Sequence, residues 1–481
     1  MWTPESSEAV DKAFSKTRAA DRREWISAFR TGHHLDNAIA HVPIHDFVDK
    51  ELVLFSRADL ERSIPSVVDG LKPSQRKVLF AAFKRNLTSD IKVAQFGGYV
   101  AEHAAYHHGD ASLTSTIVNM AQNFVGSNNV NWLVPSGQFG TRLMGGKDAA
   151  SARYVFTRLS PETRRYFHPE DDAVLEYLDD DGMSIEPRWY VPVIPTILVN
   201  GSEGIGTGWS TSIPCYDPAD IVANVRRMIR DEDLVPMTPW YRGFKGSIER
   251  RDETSFTTRG LYTIRGKHVE ITELPVGMWT QDAKELLDAL VAKGVVQDYK
   301  ENHSDTSVRF DIEFSYVPST DEIVKIFKLE TTIRTSNMHA FDADGHIRKY
   351  ESPEDILREW FVTRKHRYVA RKAEVLRRLD AKVLVAKNKA RFITAIVDGS
   401  LVVTHRKVAD VVNELDGVGY DRVDGSFAYL LNMSIQTLTN ERVDVLTREA
   451  RELDDERCTL ERTSVDTLWL ADITHASSAV A

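Results

Sequence analysis

The chain has 481 residues, too many for one ordinary hydrophobic core and enough for about three domains. With 42% apolar and 27% charged residues it falls among globular proteins, and no stretch approaches the roughly 18 unbroken apolar residues of a membrane helix. The net charge of −10 argues, taken whole, against a nucleic-acid partner, yet residues 57–165 hold 14 Lys and Arg against 8 Asp and Glu. One basic segment therefore sits in an acidic chain, which alone fits a solvated face as well as a binding site. Cys215 and Cys458 lie far apart with no CxxC, so neither a disulfide framework nor a zinc site is expected. A polar N-terminus without a signal-like apolar block points to an intracellular protein.

Inside the basic segment two helical patterns, residues 91–102 and 111–124, flank a turn at 105–109. Gly109 and Asp110 are expected to stop the first helix and cap the second, whose apolar stripe is Leu113, Ile117, Met120, Ala121 and Phe124. Helix, tight turn, helix in basic surroundings suggests a helix-turn-helix of winged type. His103, His107 and His108 have poor metal spacing, because Gly109 breaks the helix and adjacent histidines do not reach one ion; phosphate hydrogen bonding suits them better.

The run Gly145-Gly146-Lys147-Asp148 misses the phosphate-loop spacing from Gly140 and has Asp where Ser or Thr holds magnesium. Arg153-Tyr154 follows it on a small-residue loop that would leave the tyrosine exposed. A phenol with a pKa of about 10 needs cations nearby to act as a nucleophile, and Arg153 is adjacent. The glycine-rich stretch 201–208 leads to Trp209 and Pro214 rather than a helix, so dinucleotide binding is not expected. Its glycines would let the backbone approach something closely, with Ile205 left as an apolar point.

From 240 to 345 short β-like runs at 260–264 and 308–312 surround a helix at 283–293, an α+β pattern. Ser352-Pro353-Glu354-Asp355 is a strong helix start, after which Leu357, Phe361, Tyr368, Val375, Leu379, Val383, Ala386 and Ala390 recur at three and four. The spacing predicts one helix of about 45 residues, roughly 65 Å long, ending near Gly399. A second run from Thr439 places Leu446, Ala450, Leu453, Arg457 and Leu460 at heptad spacing. Antiparallel pairing of the two would carry residues 396–435 at the tip of a stalk; a compact bundle is the alternative.

Longer strings carry a resemblance. ERSIPSVVDGLKPSQRKVLF (61–80), KVAQFGGYVAEHAAYHHGDASL (92–113), AQNFVGSNN (121–129), GQFGTRLMGGKDAASARY (137–154) and PTILVNGSEGIGTGWS (195–210) resemble eukaryotic-type DNA topoisomerase II, a type IIA family. The likeness continues through EITELP (270–275), IFKLETTI (326–333) and FAYLLNM (427–433), and AFSKTRAADRREW (13–25) is similar to the stretch leaving the metal-binding domain.

The resemblance implies a multidomain α+β chain: an N-terminal connector (1–48), a winged-helix DNA-cleavage domain (49–170), an α/β tower (171–345), and a long antiparallel coiled coil with a small helical C-gate (346–475). It implies that Tyr154 attacks a DNA phosphodiester to leave a 5′-phosphotyrosyl end, with Arg153, Arg62, Lys72 and His108 around the scissile phosphate. His107, Arg76 and Lys147 are implied as further DNA contacts and Ile205 as a wedge that bends the duplex. Its partners would be double-stranded DNA and a second copy joined through the C-gate, with no membrane.

Neither a Glu and DxDxD metal motif nor an ATPase domain occurs in the sequence, so Mg²⁺ and ATP are expected on a partner subunit. The chain then resembles the DNA-cleavage subunit of a split viral or phage enzyme, working in the nucleus or host-cell cytoplasm, or else a fragment of a longer protein. Gyrase-type supercoiling is not expected without a repeat domain. A DNA-binding structural protein that keeps the fold without cleavage is the competing reading; the filled nucleophile and phosphate positions favour the enzyme.

Overall fold

The computed structural model describes residues 1–30, 32–36, 38–434 and 440–477; Thr439, where the second heptad run begins, and the last residue of the expected tip lie outside them. The chain forms two compact units, one of Met1–Pro169, Leu175–Arg364 and the segment from Asp472, the other of Glu170–Val174 and Lys365–Ala471.

The first unit opens with α1 (Pro4–Phe14), α2 (Ala19–Ser27), the single turn α3 (Ile44–Phe47) and α4 (Val53–Ser63). Ala9, Ala13 and Val48 close a small core against Trp25. α5 (Pro73–Lys84) begins on a proline, whose fixed φ suits the first helical position, and the Lys72 amide donates to Gln75 Oε1 at 2.9 Å. α6 (Val93–His103) and α7 (Asp110–Ala121) pack on it through Val78, Leu79, Phe96, Val100, Leu113 and Ile117, all buried. A two-stranded ribbon, β1 (Ile91–Lys92) with β2 (Phe156–Thr157), lies beside them.

Three details differ from the sequence expectation. The first helix starts at Val93, because Ile91 and Lys92 pair with Thr157 and Phe156, partners too distant for local periodicity to reveal. It stops through Ala105, held at φ 47° in the left-handed region, whereas Gly109 at φ −64° is the N-cap of α7 and Asp110 its first helical residue. α7 ends at Ala121, short of Phe124.

After α8 (Thr163–Tyr166) come a hairpin of β3 (Tyr177–Asp180) and β4 (Met183–Pro187), the short α9 (Thr196–Asn200), a hairpin of β5 (Ser202–Gly206) and β6 (Trp209–Ile213), and α10 (Pro218–Ile229). A three-stranded sheet in the order β13-β8-β7 and a four-stranded sheet β11-β12-β10-β9 follow. Their strands are β7 (Ser247–Arg250), β8 (Ser255–Arg259), β9 (Leu261–Arg265), β10 (His268–Glu273), β11 (Asp298–Glu301), β12 (Phe310–Glu313) and β13 (Glu330–Arg334). α11 (Thr280–Ala292) and α12 (Thr320–Ile326) cover the second sheet through Leu287 and Ile323 against Val269, Ile271, Phe310 and Ile312. The expected α+β pattern is present, with strands and helix displaced by one to three residues. A last hairpin, β14 (Met338–Phe341) with β15 (Ile347–Tyr350), packs on β6.

α13 (Pro353–Val397) has the expected 45 residues. Ser352 Oγ accepts from the Asp355 amide and Asp355 Oδ2 from the Ser352 amide, both at 3.2 Å, a reciprocal cap. Within the second unit α14 (Val408–Val418) and α15 (Ala428–Leu431) enclose a small core of Phe392, Leu401, Val411, Leu415, Tyr420 and Phe427. α16 (Asn440–Arg462) and α17 (Val465–Ser477) follow. Lys372 meets the Glu461 carbonyl at 2.9 Å, Asp380 meets Arg457 at 3.7 Å and Lys387 meets Asp454 at 2.8 Å. One number rises as the other falls, so α13 and α16 run antiparallel. No helix among the described residues is long and apolar enough to cross a membrane.

Candidate functional site

Tyr154 lies on an irregular segment fastened at both ends. At its far end the Val93 and Ala94 amides, the first two of α6, donate to Val155 O and Ala152 O at 3.0 Å. At its near end the Thr280 and Gln281 amides, the first two of α11, donate to Arg142 O at 3.3 Å and Leu143 O at 2.9 Å. The orphan donors of two helix N-termini are thus satisfied by one strap of chain. Between them Asp148 accepts from the Thr141 amide at 2.9 Å and the Thr141 hydroxyl at 2.6 Å. Gly140, at φ +92°, lies so close to Gly146 that a Cβ would sit 2.5 Å from its backbone. The glycines whose spacing misses that of a phosphate loop therefore build a tight turn. Tyr154 is 76% exposed, Arg153 and Lys147 are exposed, and the phenol points away from the core as its small-residue loop suggested.

A second group forms where α4 ends against the β5–β6 hairpin. Gly204 meets the Ser63 carbonyl so closely that a Cβ would lie 1.9 Å from it, and a Cβ on Gly206 would lie 2.9 Å from Leu60. Close approach is indeed what these glycines permit, and α4 is what they approach. Ile205, between them on the opposite face of the strand, is 86% exposed. Lys72 Nζ donates to Glu203 O at 2.6 Å, and burial lowers its pKa from the usual lysine range. Arg62 is exposed, with only a 3.4 Å contact to Asp59 and the Phe55 ring 5.9 Å away. Asp59, which sequence reasoning missed, accepts at 2.9 Å from both the amide and the hydroxyl of Thr207 and so ties the hairpin turn to α4.

His107 and His108 are exposed in the turn after α6. His107 Nε2 lies 3.0 Å from Asp180, and His108 stands edge-on to Tyr106 at 5.4 Å. They lie beyond the opposite end of α6 from the tyrosine strap, and its 11 residues span about 16 Å at 1.5 Å per residue. The structure does not bring His108 beside Tyr154 within one chain.

Arg76 differs most from the expectation of a DNA contact. It is 7% exposed, and its Nε and Nη2 donate to Asp69 at 2.7 and 3.0 Å while Nη2 also reaches Leu71 O at 3.1 Å. Asp69, 0% exposed, further accepts from the Leu71 and Tyr190 amides at 3.0 Å. The guanidinium is spent on fixing the chain that leads into Lys72. Its charge is internal, not offered to a ligand.

Comparison with known proteins places this geometry. Residues 62–475 match the family model for the A-type subunit of DNA gyrase/topoisomerase IV, and residues 1–60 match the C-terminal associated domain of TOPRIM. The chain belongs to this DNA gyrase/topoisomerase IV family. It is 45% identical to DNA topoisomerase 2 of Arabidopsis thaliana, over 98% of this chain and 36% of that protein. It is 42% identical to the Plasmodium falciparum DNA topoisomerase 2, over 100% of this chain and 38% of that one. The crystal structure of the Plasmodium falciparum topoisomerase II DNA-binding, cleavage and re-ligation domain matches with a TM-score of 0.88 at 42% identity, covering 100% of this chain and 70% of that one. The chain spans about a third of the length of the curated relatives it matches and corresponds to the cleavage and re-ligation region of a type II topoisomerase of eukaryotic type.

Proposed function

We propose that this chain carries the DNA breakage and reunion chemistry of an ATP-dependent type II topoisomerase. Tyr154 Oη attacks a backbone phosphorus, the bond to the 3′ oxygen breaks, that oxygen leaves with a proton, and the DNA end stays linked as a 5′-phosphotyrosyl ester. Attack by the 3′ hydroxyl reverses the step, so a double-strand gap can open for a second duplex and close again. The observation that carries the reading is an exposed tyrosine beside an exposed arginine on a strap held at both ends by helix N-termini.

Arg153, Arg62, Lys72 and His108 would place positive charge and hydrogen bonds on the pentacovalent phosphate. Because they lie in separate groups of one chain, we take the reaction centre to be completed on DNA held by a homodimer. His107 and Lys147 would contact the backbone, Ile205 would enter a base step and bend the duplex, and Arg76 would act through Asp69 and Lys72. The regions would be a connector at 1–48, a winged-helix domain at 49–170, a tower at 171–345, and a coiled coil with a C-gate at 346–475.

The family resemblance implies Mg²⁺ and ATP. Among the described residues no group of three or more His, Cys, Asp or Glu side chains converges to hold an ion, so the described residues do not fit a metal cage and no step here passes through one. A subunit or region carrying the ATPase and metal-binding domains would supply both, and the assembly would work inside the cell. Tyr154→Phe tests the reading: the full-length enzyme should lose the denaturant-stable DNA adduct while still binding DNA. An adduct that persists in this variant removes Tyr154 as the nucleophile.

A further inference from the structure

The tyrosine strap has an anchor away from the tyrosine that the proposed chemistry does not use. Arg142, on the strap, is 6% exposed and Glu273, at the end of β10, 1%. Arg142 Nη2 donates to Glu273 Oε1 at 2.5 Å and Nη1 reaches Oε2 at 3.5 Å. Glu273 also accepts from the Leu274 amide at 3.0 Å and the Lys245 amide at 3.2 Å. Beside the pair, the Trp279 indole lies against the strap so tightly that a Cβ on Gly145 would be 2.4 Å from it, while a Cβ on Gly126 would be 3.2 Å away.

A buried ion pair is a costly way to hold two segments, since desolvation cancels much of the attraction and apolar residues of similar volume stabilise as well or better. What it supplies is one geometry: a two-pronged guanidinium on a carboxylate fixes distance and angle where a methylene contact would slide. The strap leaves this anchor, makes the Thr141–Asp148 brace, and is fastened again on α6 on either side of Arg153 and Tyr154.

We propose that Arg142 and Glu273 are positioning residues for Tyr154, registering its strap on the β10–α11 region so that a shift of that region moves the nucleophile. The inference rests on the reading of Tyr154 as the nucleophile. It makes the strap a rod between two bodies, with Trp279 as a second stop against sliding.

The test replaces both partners together, Arg142→Met with Glu273→Gln, which leaves no buried charge unpaired and keeps an amide oxygen for one of the two backbone donors, the Leu274 or the Lys245 amide. In the full-length enzyme this double variant should fold and bind a short duplex within twofold of wild type, yet form the covalent adduct at least tenfold more slowly in single turnover. Trp279→Phe, which keeps both charges and most of the apolar contact, should slow the same step about threefold with unchanged affinity. Adduct formation at the wild-type rate in either folded variant overturns the proposal. If the double variant does not fold, Trp279→Phe alone decides. Tyr154→Phe runs in parallel: an adduct surviving there overturns the nucleophile and the positioning pair together, whereas its loss there with an unchanged rate in the double variant overturns only the pair.

Discussion

Lys72 Nζ donates to the backbone carbonyl of Glu203 at 2.6 Å, so a cation from the start of α5 holds the strand that presents Ile205. The proposed phosphate contact and the proposed wedge thereby share one side chain.

Burial lowers the Lys72 pKa from the usual lysine range, with the nearby Glu203 opposing the shift. The folded state then binds this proton less tightly than the unfolded chain does. Its contribution to stability rises with pH between the lowered value and the ordinary one, while its positive charge is lost as pH rises through the lowered value. DNA cleavage measured as kcat/KM should therefore fall on the alkaline side before an ordinary lysine would titrate. Lys72→Arg should move that limb upward. Identical alkaline limbs in the two proteins would exclude Lys72 as the titrating group.

Gly204→Ala and Ile205→Ala should separate packing from wedging. A Cβ at Gly204 meets the Ser63 carbonyl at 1.9 Å, so the hairpin must shift, at a cost of about 1–3 kcal/mol on thermal unfolding, and both DNA bending and cleavage should drop. Ile205 is 86% exposed, so its truncation should change stability by less than about 0.5 kcal/mol and reduce the bend angle measured by energy transfer. An unchanged bend angle in Ile205→Ala would show that the exposed side chain is not the wedge.

Arg76→Met should strand the Asp69 carboxylate in the interior and cost about 3–5 kcal/mol in denaturant unfolding. Asp69→Asn in the same background should recover part of it, because the amide carries no charge and its single oxygen still accepts from one of the two backbone donors, the Leu71 or the Tyr190 amide. A single variant of wild-type stability would mean that Arg76 faces outward in solution.

Much of this was legible because it is local. The 45-residue α13 follows from a cap and a three-four repeat, and the exposure of Tyr154 and Ile205 from the small residues beside each. The illegible parts depend on partners beyond one helical turn, seven residues away for Arg76 and far along the chain for the others. Arg76 sits in a basic stretch, and nothing within a helical turn reveals that Asp69 will fold beneath it. The same holds for Asp59 under Thr207, for Glu273 against Arg142, and for the Ile91–Lys92 strand, whose mates are more than sixty residues away. The family resemblance implied Arg153, Arg62, Lys72 and His108 as one group around a phosphate, and within one chain α6 stands between the histidine turn and the tyrosine.

Two helices with fixed starting points close the strap, which makes residues 144–151 a segment of prescribed length. One residue more should buckle it and one fewer should lift Val155 or Leu143 from its amide, so length variation is expected to disturb the strap even where residue identity is free. Deletion and insertion scanning across the chain should therefore find its sharpest intolerance in a loop, the kind of segment that ordinarily absorbs such changes.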